Sequence, residues 1–246
     1  MTRRHTSGQC DLDSVSTLPT VTASLARIQS LRHHRDPDFA IAVTTLQRWR
    51  VERMEQCYTQ LVDLPSQRAL LQYYLEHIHG GLDVSEVRDI DSAVAVVDRF
   101  FSDTALLRAA LEFTALAGEV AESLTASLEL DLGREVIVES AFAQACCSGD
   151  LTLKMRRQIV LIEFFFTLLA DLLTDRKLRL GLKLAKVPAH LYGVGNFHSL
   201  ITTGFDVLKR CPDLDGVVDL FVRQEQAVVS RIETCQPPLF APLQEA

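Results

Sequence analysis

Glu76 and His79 stand three residues apart in YYLEHIHGG, the spacing by which one helix offers a carboxylate and an imidazole to a single metal ion. A di-iron bundle needs two such pairs and two further glutamates, and no second Glu-x-x-His occurs in the chain. His190 and His198 flank Gly193-Val194-Gly195, where an imidazole beside an apolar groove could ligate haem. No Cys-x-x-Cys-His attachment sequence accompanies them. These four residues are the candidate metal ligands of one alternative, a haem- or iron-dependent helical enzyme. The glycine turn itself lacks the preceding strand and the following Lys-Ser or Lys-Thr of a phosphate loop.

Polar and aromatic chemistry concentrates between Tyr73 and Asp89. Tyr73, Tyr74, Glu76, His79, Arg88 and Asp89 gather around Gly80-Gly81, with Arg156 and Arg157 as expected counter-charges, and form the candidate ligand or partner site. A basic stripe follows later. If residues 177–186 are helical, Arg176, Arg179, Lys183 and Lys186 share one face that suits phosphate, anionic lipid or an acidic helix, the second alternative being a peripheral adaptor. KLRLGLKLAK also alternates as a strand would; helix is preferred because the segment continues a helix and no partner strand is visible. Nucleophilic catalysis finds no support: there is no Gly-x-Ser-x-Gly, and the six cysteines include no Cys-x-x-Cys. Cys146 and Cys147 are adjacent, which precludes an unstrained bridge between them on one helix, so they read as packed thiols in a reducing cytosol.

The elements that must position these groups are helices. Apolar residues recur at steps of three and four from Pro37 onward. Asp36 precedes Pro37 as an N-cap precedes a first-turn proline. Val51, Met54, Tyr58, Leu61 and Val62 continue that helix's face, and Leu71, Tyr74, Leu75 and Ile78 make the next. Leu107, Leu111, Gly118, Ala121, Leu124 and Leu128 share a side on which Gly118 permits a close approach. Residues of about 151–175 are apolar around most of a helix and predict the central buried element. Asn196 is a candidate cap for the helix of Phe197, Leu200, Ile201 and Phe205; Val217, Phe221, Val228 and Ile232 form the last face. The expectation is an all-α, single-domain bundle of eight to ten helices over residues 37–235, with a mobile arm at 1–36 and a Pro-rich tail at 236–246.

The 246 residues carry a formal charge of −7, which argues against general nucleic-acid binding. The N-terminal MTRRHTSGQC lacks an apolar stretch after its basic residues, and neither 158–174 nor 187–205 supplies an uninterrupted membrane-spanning run. A cytoplasmic location is expected. Asp83–Glu139 is strongly acidic and Lys154–Lys186 basic, so the two regions attract within one fold or present opposite faces to partners.

YYLEHIHGGLDVSEVRDID resembles the signature of an uncharacterised bacterial family with an FFLEELYG-type motif followed by a D-x-S-x-x-R-D-like segment. Tyr73 and Tyr74 match its paired phenylalanines, Leu75-Glu76 its Leu-Glu, Gly80 its glycine, Asp83 and Ser85 its Asp and Ser, and Arg88-Asp89 its Arg-Asp. RRQIVLI (156–162) and VPAHLYGVGNFHSLITTGF (187–205) are similar to later segments of that family, and the likeness runs over roughly 37–235. His77 and His79 replace an acidic and an aromatic residue of the motif. The resemblance implies helical architecture and bacterial origin. The preferred functional expectation is a non-catalytic protein that binds a protein partner or a small apolar or anionic ligand in an interhelical cleft, with oligomeric state open.

Overall fold

Leu151–Thr174 exposes Leu153, Arg156, Val160, Glu163, Thr167 and Asp171, a single strip at steps of three and four. Met155, Ile159, Ile162, Phe165, Phe166 and Leu169 are buried on its other sides. That pattern places the helix against neighbours on most of its girth, as its composition predicts. The computed structural model describes residues 18–61, 64–79, 82, 84, 86, 87, 89–100, 104–128, 137–147, 149–174, 186, 187, 189–193 and 195–243. Among them the architecture is all-helical, with no strand. In chain order the helices are α1 (Val21–Ser30), α2 (Pro37–Cys57), α3 (Pro65–Tyr73), α4 (Ile90–Phe100), α5 (Ala105–Ser127), α6 (Glu139–Cys146), α7 (Leu151–Thr174), α8 (Gly195–Leu208) and α9 (Leu214–Glu233). Helix α7 packs on α5, α8 and α9, and α5 also meets α1, α2 and α6. No described helix is long and apolar enough to cross a membrane.

Local chemistry sets the helix starts. Asp36 accepts the Phe39 amide at 3.1 Å with Pro37 in the first turn of α2, and Asp213 accepts the Gly216 amide at 3.2 Å at the start of α9. Helix α8 begins at Gly195, one residue before Asn196.

The first and last described segments are both tied to the core. The stretch expected as an arm becomes helical at Val21, and Val21, Leu25 and Ile28 are buried in the core. Arg27 fixes α1 to α5 through Glu112 at 2.6 Å and Glu119 at 2.7 Å. Lys154 of α7 joins the same Glu119 at 3.2 Å. Leu31 lies where a side chain on Gly118 would have to go, the close approach read from the sequence. The spacing of Leu25, Ile28 and Leu31 marks this helix within a Ser- and Thr-rich stretch, because only every third or fourth residue need be apolar. Residues 1–17 lie outside the described residues.

At the other end, the segment after cis Pro237-Pro238 forms a strap over α6 and α9. Leu239 and Phe240 are 1% and 7% exposed. The Leu239 amide donates to Glu139 at 3.0 Å, and Gln224 and Arg231 donate to the Ala241 carbonyl at 2.9 and 2.7 Å.

Candidate functional site

Three polar residues interrupt otherwise apolar stripes, in phase with them. On α2 the buried positions run Val43, Leu46, Met54 and Cys57, and Arg50 fills the gap. On α7, Gln158 lies among Leu151, Met155, Ile159 and Ile162; on α9, Glu225 lies between Phe221 and Val228. The helices bring all three to one small interhelical cavity of about 30 Å³, walled by apolar side chains including Met54, Phe113, Phe142, Ile159, Val228 and Phe240. His79 is the fourth polar group on its wall.

His79 arrives by a departure from α-helical geometry. Helix α3 runs directly into a π-helical turn, Tyr74–His79. Residues five apart on an α-helix point about 140° from each other, whereas the wider π turn returns them to one side. Tyr74 and His79 accordingly meet the same atom. Tyr74 Oη donates to Glu225 Oε1, and His79 Nε2 lies 3.5 Å from it.

Electrostatics follows from that clustering. Burial alone would raise the Glu225 carboxyl, but His79, the Tyr74 hydroxyl and the Arg50 charge together hold it below its ordinary value. Burial and the Glu225 charge push the Tyr74 phenol well above its usual range, so it remains a donor. Burial disfavours the charged Arg50, and the facing Cys146, Glu225 and Tyr74 act in the other direction. Among the described residues Arg50 and Gln158 have no side-chain hydrogen bond, and Arg50 forms no direct ion pair, although both line the cavity and Gln158 is 6% exposed. Their donors are therefore free for a guest. Behind Tyr74, the buried Tyr58 hydroxyl has no hydrogen-bond partner either. Burial raises the thiols of Cys57 and Cys146 to about 12, which removes both as nucleophiles near neutral pH.

The residues expected at this site disperse. Tyr74 and His79 belong to it. Tyr73 is buried beside it, donating to the Leu200 carbonyl at 3.1 Å. Glu76 is exposed while His79 turns inward to Glu225, so the proposed metal pair does not converge; the π turn is the reason. Asp89 is exposed and caps its own turn through Ser92 and the Asp91 amide. Arg156 is held at the surface by Glu233, at 2.9 Å through Nε, and Arg157 does not line the cavity. The counter-charge is Arg50 instead. Arg88, Arg176, Arg179 and Lys183 lie outside the described residues, and Lys186 is exposed. The question of helix or strand over 177–186 falls outside them as well, apart from Lys186.

His190 and His198 sit together elsewhere, with ring centroids 6.4 Å apart and His190 Nδ1 2.8 Å from the Lys186 carbonyl. Among the described residues no three His, Cys, Asp or Glu side chains cluster as a metal site. The glycine turn between these histidines has a packing role. Gly193 has φ +76°, and a β-carbon on it would strike the Glu86 carbonyl. Gly193→Ala is expected to lose about 1–3 kcal/mol of stability in urea titration, because the position combines left-handed backbone with a backbone collision.

The family model described as Domain of unknown function (DUF8198) matches residues 29–238. Neither the curated proteins nor the solved structures contain a match to this chain.

Proposed function

For a chain that belongs to this domain family of unknown function, we propose a small-molecule binding protein whose ligand is a short carboxylate with few apolar atoms. The observation that carries the reading is Arg50: a guanidinium on the wall of an apolar cavity, without a hydrogen bond, beside an equally unengaged Gln158. A half-buried guanidinium with open donors favours an anion, which it matches in the two-pronged geometry of a carboxylate. Glu225 supplies a nearby negative charge, but its oxygen is taken up by Tyr74 and His79. Gln158 would donate to the second carboxylate oxygen, while Met54, Phe113 and Ile159 cover the body of the guest.

No nucleophile or metal cluster among the described residues assigns a reaction to the cavity, so the reading is binding. The test is a thermal-shift and calorimetric panel of short aliphatic and aromatic carboxylates, each paired with its alcohol. Carboxylates should raise the melting temperature saturably and their alcohols should not. Arg50→Met should weaken the best carboxylate by about 30-fold or more. Equal binding of acid and alcohol, or no response to any acid, would sink the proposal.

A further inference from the structure

Two exposed thiols meet beside the strap. Cys147 ends α6, and Cys235 follows α9. Cys147 Sγ donates to the Ile232 carbonyl at 3.5 Å, and the same oxygen accepts the Cys235 amide at 3.0 Å. The two cysteines thus converge on one backbone atom although they are far apart in sequence. Cys235 also has φ +51°, the left-handed position after a helix where glycine is the usual residue. Burial, followed by the facing Cys235 thiol, raises the Cys147 thiol.

We propose that Cys147 and Cys235 form an oxidative modification site, closing to a disulfide when the protein meets a hydroperoxide. A thiolate of the pair attacks the distal oxygen of ROOH; the O–O bond breaks, ROH leaves, and a sulfenic acid forms. The second thiol then attacks that sulfur, the S–S bond forms, the S–O bond breaks and water leaves. Two thiols and one hydroperoxide give one disulfide, one alcohol and one water. Cys146, adjacent in sequence, does not take part because it is fully buried on the other side of the helix end. The bridge would join the end of α6, which carries Phe142, to the root of the strap, which carries Phe240. Those two rings stand 5.9 Å apart on the cavity wall.

The test treats the full-length chain with hydrogen peroxide, blocks free thiols and maps peptides without reduction. The expected species joins the Cys147 and Cys235 peptides, is lighter by two hydrogens, and disappears on treatment with dithiothreitol. Cys146→Ser should keep it, and Cys147→Ser and Cys235→Ser should each abolish it. Sulfinic or sulfonic acid at either position without a cross-link, or a cross-link that survives Cys147→Ser, overturns the proposal. Carboxylate binding plays no part in this readout, so the result is separate from that of the cavity.

Discussion

Glu225→Leu should cost about 3–5 kcal/mol in urea denaturation near neutral pH, the loss that follows removal of one partner from a buried charge cluster. Glu225 is 9% exposed and is the atom group on which Tyr74 and His79 both converge. Its removal leaves the Tyr74 hydroxyl without an acceptor and Arg50 without its facing anion. Glu225→Gln retains an acceptor oxygen for Tyr74 and should lose less, about 1–2 kcal/mol. The pH dependence tests the charge separately. A carboxyl held below its ordinary value of 4.5 adds stability that is complete above that value and is lost as pH falls through the lowered one. The gap between wild type and Glu225→Gln should therefore be constant at neutral pH and narrow in acid. A gap that stays flat into acid would mean that the anion is not what Tyr74, His79 and Arg50 stabilise.

The helical architecture was legible because its signal is repeated. Val217, Phe221, Val228 and Ile232, read as one face from spacing alone, are all buried on α9. The site was legible only in part, because its polar members stand between the apolar residues that mark each face. Glu225 falls four residues after Phe221 and three before Val228, and Arg50 falls four after Leu46 and four before Met54. A charged residue in phase with a core stripe is carried toward the interior, where a buried charge calls for a partner. That was the available signal, and Gln158 shows it again. Spacing did not reveal the π turn, which depends on how Tyr74 and His79 meet α9 rather than on local preference. An ordinary helix through 74–79 would pair His79 with Glu76; the π turn brings it to Glu225. Within the Ser- and Thr-rich stretch the spacing of Leu25, Ile28 and Leu31 is the signal of α1, and with Val21 these few apolar residues are sufficient to dock it.

Phe221→Ala is expected to lose about 3–5 kcal/mol, and the consequences should reach beyond packing. The ring is fully buried and stacks on Tyr74, with centroids 4.3 Å apart and planes 15° from parallel. Tyr58 meets its edge at 5.3 Å, and Phe166 of α7 lies at 6.0 Å. Phe221 therefore holds in place the phenol that holds Glu225, one turn further along the same helix. Truncation to alanine leaves a cavity that these rings can fill only by tilting, and a tilted Tyr74 withdraws its hydroxyl from the carboxylate. Phe221→Leu separates the two roles, since it refills much of the volume and should cost only about 1–2 kcal/mol. With the protein still folded, carboxylate affinity should fall several-fold in that variant, because leucine offers no flat face to fix the Tyr74 ring. An unchanged affinity alongside lowered stability would assign Phe221 to the core alone and detach the aromatic cluster from the proposed binding site.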